Sequence, residues 1–133
     1  MVIQGGCLCG KVRFQVAGRL FNVDHCHCSM CRRQHGAAFA TYAEFNAGDF
    51  KWTSGKGFVK IFEPSSDVGW CFCGECGSTL AGTDKGKIRT ITLGTVEGDP
   101  GIRPESHIFV GSKAEWHDIC DNLPQFEERS SDT

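Results

Sequence analysis

No run in this 133-residue chain is long and apolar enough to cross a membrane as a helix, which takes about 20 such residues. Basic surplus is missing too: 14 Lys and Arg stand against 16 Asp and Glu, for a net charge of -2. That excludes broad, salt-dependent binding to nucleic acid, which needs a basic surface. The opening Met1-Val2-Ile3-Gln4-Gly5-Gly6 has no basic start followed by an apolar segment, so no secretion signal is expected. Nowhere does apolar spacing hold a 3.6-residue period for long, which excludes a helical bundle.

What the chain has instead is cysteine, nine of them, with 17 glycines. Eight of the nine fall in three tight clusters: Cys7 and Cys9; Cys26, Cys28 and Cys31; Cys71, Cys73 and Cys76. The second and third share the spacing Cys-x-Cys-x-x-Cys. A secreted chain with this count would suggest a disulfide framework. The odd number and the absent secretion signal argue against one, and cysteines this close rarely bridge one another. The usual ferredoxin spacings of iron–sulfur ligation are also absent. Metal is the expected use, because a thiolate zinc site needs short turns that aim several sulfurs at one point about 2.3 Å away. Reduced zinc thiolates in turn imply the cytoplasm.

Between the clusters the pattern is of short strands. Lys11-Val12-Arg13-Phe14-Gln15-Val16 alternates polar and apolar strictly, as a half-buried strand does. Further strands are expected around Leu20 to Val23, Ala37 to Phe45, Phe50 to Thr53, Phe58 to Phe62, Val68 to Cys73, Ile88 to Leu93 and His107 to Val110. Turns are expected at 46–49, 54–57, 64–67, 83–87 and 98–101, where Gly, Asn, Asp, Ser and Pro gather. Arg32 to Gly36 reads as one helical turn or a loop. Ser112-Lys113-Ala114-Glu115 has capping-box spacing, which predicts a short helix that includes Trp116. Regularly spaced turns without helical periodicity indicate one mainly β domain over residues 1–126. A polar tail of residues 127–133 follows, with nothing to bury.

The eight clustered cysteines divide in two ways. Two closed four-cysteine sites would use all of them, and arithmetic alone slightly favours this purely structural reading. Alternatively Cys7, Cys9, Cys73 and Cys76 form one closed site, and Cys26, Cys28 and Cys31 hold a second metal with an open fourth position, the mark of catalytic zinc. Cys71 is the pivot, since on a strand it shares a face with Cys73.

Three stretches resemble one family. Gly5 to Phe14, Cys26 to Arg33 followed by Gly36 and Phe39, and Phe72 to Ser78 match its three ordered cysteine motifs. His107, Ser112 to Trp116 and Leu123 to Phe126 look like its closing segment. The family is that of the glutathione-dependent formaldehyde-activating enzymes, which includes the centromere protein V group. The resemblance implies a small β-rich zinc-binding fold of the Mss-four-like type, shared with methionine-R-sulfoxide reductases. It implies two zincs per chain, a structural one on Cys7, Cys9, Cys73 and Cys76 and a catalytic one on Cys26, Cys28 and Cys31. Cys71 lies outside the family's pattern and reads as a spare buried thiol. The implied activity is a carbon–sulfur lyase-type reaction joining glutathione to formaldehyde or a related small electrophile. Arg32 and Arg33 are candidates for binding glutathione carboxylates, against the plain reading of a solvated basic turn. His27 is a candidate proton shuttle or fourth ligand, against the plainer second-sphere or exposed histidine. His25 and His35 are weaker candidates. His107 reads as a buried, hydrogen-bonded histidine, and Trp52, Trp70 and Trp116 read as core. Competing functions are a non-enzymatic zinc-stabilised binding module, a zinc enzyme acting on another glutathione adduct, and a sulfoxide reductase, for which Cys71 and Cys120 are the unclaimed thiols.

Overall fold

A computed structural model describes residues 2–129. Strands dominate it, as expected. In chain order they are β1 (Ile3–Gly6), β2 (Arg13–Val16), β3 (Leu20–Cys26), β4 (Ala40–Phe45), β5 (Phe50–Ser54), β6 (Val59–Ser65), β7 (Val68–Cys73), β8 (Thr79–Asp84), β9 (Lys87–Thr92) and β10 (Ser106–Ile108). One α-helix, α1 (Ser29–His35), lies between β3 and β4. A three-stranded sheet has the order β1-β2-β5, and a seven-stranded sheet the order β10-β3-β4-β9-β8-β7-β6. Every ladder is antiparallel except β10 on β3, where His107 stands opposite His25 and Ile108 opposite Cys26.

The alternation of β2 works as the sequence implies. Phe14 and Val16 are buried, while Arg13 and Gln15 stay partly exposed. Phe14 stacks on Phe50 at 5.5 Å and meets Trp52 edge-on at 6.4 Å. These rings face Leu20, Val23, Ala43, Leu80 and Ile91 in one core shared by the two sheets. A cross-strand row, Cys71–Ala81–Ile91–Ala43, runs along the large sheet, and all four of its residues are fully buried. A buried Leu80 or Ile91 side chain contributes about 1.5–3 kcal/mol of apolar burial. A second, smaller cluster holds Cys26, Cys31, Ala40, Trp70 and Ile108, with Tyr42, Val68, Phe109 and Phe126 against it.

Three readings of the sequence need correction. No helix follows Ser112: Val110–Ser112 is a single 3₁₀ turn and Lys113 is already extended, with ψ 143. The capping spacing is there, but no apolar stripe follows it for a helix to bury. Trp116 accordingly sits outside the core, 73% exposed, whereas Trp70 is 4% exposed. The last strand stops at Ile108, because Phe109 turns to a left-handed φ of 57. Residues 127–129, at the start of the expected polar tail, are exposed and meet the domain through a few contacts. Phe109 N–H donates to the Glu128 carbonyl at 2.7 Å, and the Arg129 guanidinium lies 5.6 Å from the Phe109 ring centre. Residues 130–133 of the expected tail lie outside the described residues.

Candidate metal centres

Among the described residues two groups of side chains could hold a metal ion: Cys7, Cys9, Cys73 and Cys76, and Cys26, Cys28 and Cys31. Within each group all sulfurs lie within 4.8 Å of one another. All nine cysteines are free thiols. The partition is therefore four and three, and the two closed four-cysteine sites favoured by arithmetic do not form. Cys71 belongs to neither group. Although it shares a strand face with Cys73, it points into the cross-strand row against Ala81, 1% exposed. Burial, with Glu63 adding to it, raises its thiol to about 11.

The four-sulfur group joins the two sheets. Cys7 follows β1 and Cys73 ends β7. Each begins a tight turn closed by a glycine at φ 82, Gly10 and Gly77, a conformation that costs other residues steric strain. Gly10 N–H donates to the Cys7 carbonyl at 3.1 Å and Gly77 N–H to the Cys73 carbonyl at 2.8 Å. Sulfur separations are 3.5 Å for Cys7–Cys9 and 3.9 Å for Cys9–Cys73, close to the roughly 3.8 Å edge of a tetrahedron with 2.3 Å metal–sulfur bonds. Backbone N–H groups of Val12 and Glu75 donate to Cys7 Sγ and Cys73 Sγ at 3.3 and 3.4 Å. Hydrogen bonds from the Ser78 side chain and backbone, then from the Cys9 backbone, bring the Cys76 thiol down to about 5. Lys11, just after the first turn, pairs with Glu75 of the second at 2.9 Å.

The three-sulfur group is local. Cys26 ends β3, Cys28 caps α1, and Cys31 lies in its first turn. The cap is an extended residue (φ -64, ψ 153) whose Sγ accepts from Cys31 N–H at 3.3 Å. Cys26 and Cys31 are buried and Cys28 is partly exposed, so solvent reaches this group at Cys28. Hydrogen bonds from Cys26 and then Cys31 favour the Cys28 thiolate, while Cys28 and then Cys31 push Cys26 strongly up. Three thiolates cannot share this space unless a cation offsets their charge. The donor sets of both groups fit zinc.

Beside the second group the structure places Tyr42, which the sequence did not single out, and brings Trp70 and the candidate His35 to it. Tyr42 on β4 donates its hydroxyl to Cys31 Sγ at 3.3 Å. Trp70 Nε1–H donates to that hydroxyl at 2.8 Å, and His35 Nε2 lies 2.8 Å from it. Burial lowers His35 and strongly raises Tyr42, so the imidazole is neutral and the phenol protonated at neutral pH.

The other four histidines, His25, His27, His107 and His117, gather in a cluster of their own. His27 is fully buried and outside the ligand group. It lies on the other side of an extended chain from Cys26 and Cys28, with its ring near Phe39, His107 and His117. Its Nε2 lies 2.8 Å from His107 Nδ1, and its Nδ1 is buried without a partner. His107 Nε2 lies 3.0 Å from Asp121, so His107 is the buried, hydrogen-bonded residue expected. His25 Nδ1 lies 2.7 Å from the Thr41 hydroxyl. Desolvation first, then the His107 charge, lowers both His25 and His27 to about 4. Of the two candidate arginines, Arg33 is exposed, whereas Arg32 is partly buried with an unpartnered Nε. Cys120 is exposed and apart from both groups. Among the described residues no helix is long and apolar enough to cross a membrane.

A model of the family described as glutathione-dependent formaldehyde-activating enzyme matches residues 2–112. A Halomonas elongata protein, provisionally named a glutathione-dependent formaldehyde-activating enzyme, is 25% identical over 128 residues, spanning 90% of this chain and 82% of its own. A crystal structure of a Rhodobacter sphaeroides protein is similar in fold, with a TM-score of 0.57 at 24% identity, over 72% of this chain and 89% of that one.

Proposed function

The chain belongs to the family of glutathione-dependent formaldehyde-activating enzymes, and on that premise we propose that it is a two-zinc enzyme that joins the glutathione thiol to formaldehyde or a related small electrophile. In this reading Cys7, Cys9, Cys73 and Cys76 hold a structural zinc, and Cys26, Cys28 and Cys31 hold a catalytic one. The observation that carries it is the separate three-sulfur group with one partly exposed sulfur, Cys28. Three protein ligands are the complement of catalytic zinc, whose remaining position is left for a substrate.

Zinc supplies one piece of chemistry here: it stabilises a sulfur as the thiolate, the nucleophilic form, at neutral pH. Three protein thiolates already soften its Lewis acidity, so holding a substrate thiolate suits it better than polarising an aldehyde. The addition then balances simply. The glutathione thiol gives up its proton, its sulfur forms a bond to the formaldehyde carbon, the carbonyl π electrons move to oxygen, and that oxygen takes up the equivalent of the released proton to give S-hydroxymethylglutathione. Arg33, exposed on the same short helix as Cys31, would pair with a glutathione carboxylate, which suits its planar guanidinium. Arg32 is the second candidate for that contact. The need to keep zinc thiolates reduced supports a cytoplasmic location.

The test is the rate of S-hydroxymethylglutathione formation above the uncatalysed reaction, followed by exchange NMR. Wild type should accelerate it and a folded Cys28→Ala variant should not. Equal acceleration by both would overturn the assignment of the three-sulfur group.

A further inference from the structure

We propose that Tyr42 is a positioning residue for the three-sulfur centre, its hydroxyl held by Trp70 and His35 so that its one proton is delivered to Cys31 Sγ. This rests on the reading that Cys26, Cys28 and Cys31 carry a metal, and it concerns what tunes that metal. Three elements converge on the one oxygen: Trp70 from β7, His35 from the end of α1, and Tyr42 itself from β4. The separations are 2.8 Å to Trp70 Nε1, 2.8 Å to His35 Nε2 and 3.3 Å to Cys31 Sγ.

Counting protons fixes the direction of each bond. An indole N–H only donates, so Trp70 takes one lone pair of the Tyr42 oxygen. A metal-bound thiolate only accepts, so Cys31 Sγ takes the hydroxyl proton. The second lone pair is left for His35, which must therefore carry its hydrogen on Nε2. Without a metal a Cys31 thiol could donate to the oxygen, and the hydroxyl proton could turn to His35. Metal binding selects the arrangement in which every donor has an acceptor. Trp70 is 4% exposed and Cys31 5% exposed, so water competes little for these groups.

The consequence is electrostatic. Three protein thiolates and one substrate thiolate would give a divalent ion's site a net charge of about -2, where Cys26 and Cys31 pack in one apolar cluster with Ile108, Phe109, Val68 and Trp70. A hydrogen bond to a thiolate draws charge from sulfur, as charge-assisted bonds do. Tyr42 offsets this charge from a side chain, alongside backbone donors such as the Cys31 N–H, which donates to Cys28 Sγ at 3.3 Å. Tyr42 thus helps the metal accept a fourth, negatively charged sulfur without touching the substrate.

Cobalt substitution reads the effect directly, because the sulfur-to-cobalt charge-transfer band moves with the charge on sulfur. Tyr42→Phe should shift the band of this centre to longer wavelength and raise KM for glutathione more than it lowers kcat. Trp70→Phe should shift it the same way by less, and His35→Gln, which keeps a donor, should restore it relative to His35→Leu. Tyr42 is the chain's one tyrosine, so biosynthetic replacement by 3-fluorotyrosine alters this hydroxyl alone. Its stronger donation should shift the band to shorter wavelength, a reversal that packing damage cannot produce and that needs no destabilising substitution. An unchanged band with Phe and with fluorotyrosine overturns the proposal. If wild type and Cys28→Ala take up the same amount of cobalt with the same spectrum, the metal reading beneath it fails instead.

Discussion

Loss of a ligand from the two centres should cost the fold different amounts. Cys9 and Cys73 lie 64 positions apart in the chain yet 3.9 Å apart at sulfur, so a metal on the first group closes a long loop. The second group spans only Cys26 to Cys31. Treated as a cross-link, closing a loop of that first length removes about 4 kcal/mol of unfolded-chain entropy, against about 2 kcal/mol for the second. Cys73 is also fully buried in the core shared by both sheets, whereas Cys28 is partly exposed at the cap of a seven-residue helix. The Cys73→Ala variant should therefore unfold at least about 2 kcal/mol more easily than Cys28→Ala. At roughly 4 °C per kcal/mol for a domain of this size, that separates their Tm values by about 8 °C. The assay is thermal unfolding followed by far-ultraviolet circular dichroism, with both variants saturated with zinc. Equal Tm values, or a lower one for Cys28→Ala, would refute the division into a fold-holding centre and a separable one.

Two other outcomes follow from buried groups. The Asp24 carboxyl is raised from 3.8 to about 7, by desolvation first and by Glu44 and Glu105 beside it, with Arg129 opposing. Between those two values the unfolded chain ionises before the folded one, so this group's penalty grows as pH rises through the window and is absent below it. Asp24→Asn should thus gain on wild type between pH 5 and pH 8, by on the order of 2–3 kcal/mol over that window, in paired urea titrations. A constant difference would show that the carboxyl does not titrate in the folded chain as described. Cys71→Ala should lower stability by about 1 kcal/mol through lost packing and leave the metal content of the purified protein as it was. Loss of a metal equivalent would make Cys71 a ligand.

The strands with strict alternation were legible, and β2 is the clearest case, because period-2 patterning is local information. Strand β8 was not. Thr79-Leu80-Ala81-Gly82-Thr83-Asp84 mixes small, polar and apolar residues and buries both Leu80 and Ala81, so it shows no alternation. Gly82 is there because a Cβ would sit 2.5 Å from Thr90 Oγ1 on the neighbouring strand, a constraint no local pattern records. The opposite error, a helix at Ser112, came from a start signal without an apolar face behind it. The cysteine clusters were legible as ligand sets, because turn-forming spacing is written along the chain. Spacing alone left their division open, since it depends on which way Cys71 points once β7 pairs with β8, and only the family resemblance implied the four-and-three grouping. Tyr42 was hidden for a similar reason. Its contacts to Cys31 and Trp70 span 11 and 28 positions, and in sequence it reads only as a residue suited to a strand. Asp121, which fixes His107 across 14 positions, was missed in the same way.

Zinc content per chain tests the central claim most directly, measured on wild type and on Cys28→Ala under identical loading. Two equivalents in wild type falling to one in a variant that keeps its native circular dichroism are what a structural centre beside a separable three-cysteine centre requires. One equivalent in both zinc-saturated proteins, or loss of all zinc together with the fold in Cys28→Ala, would contradict it.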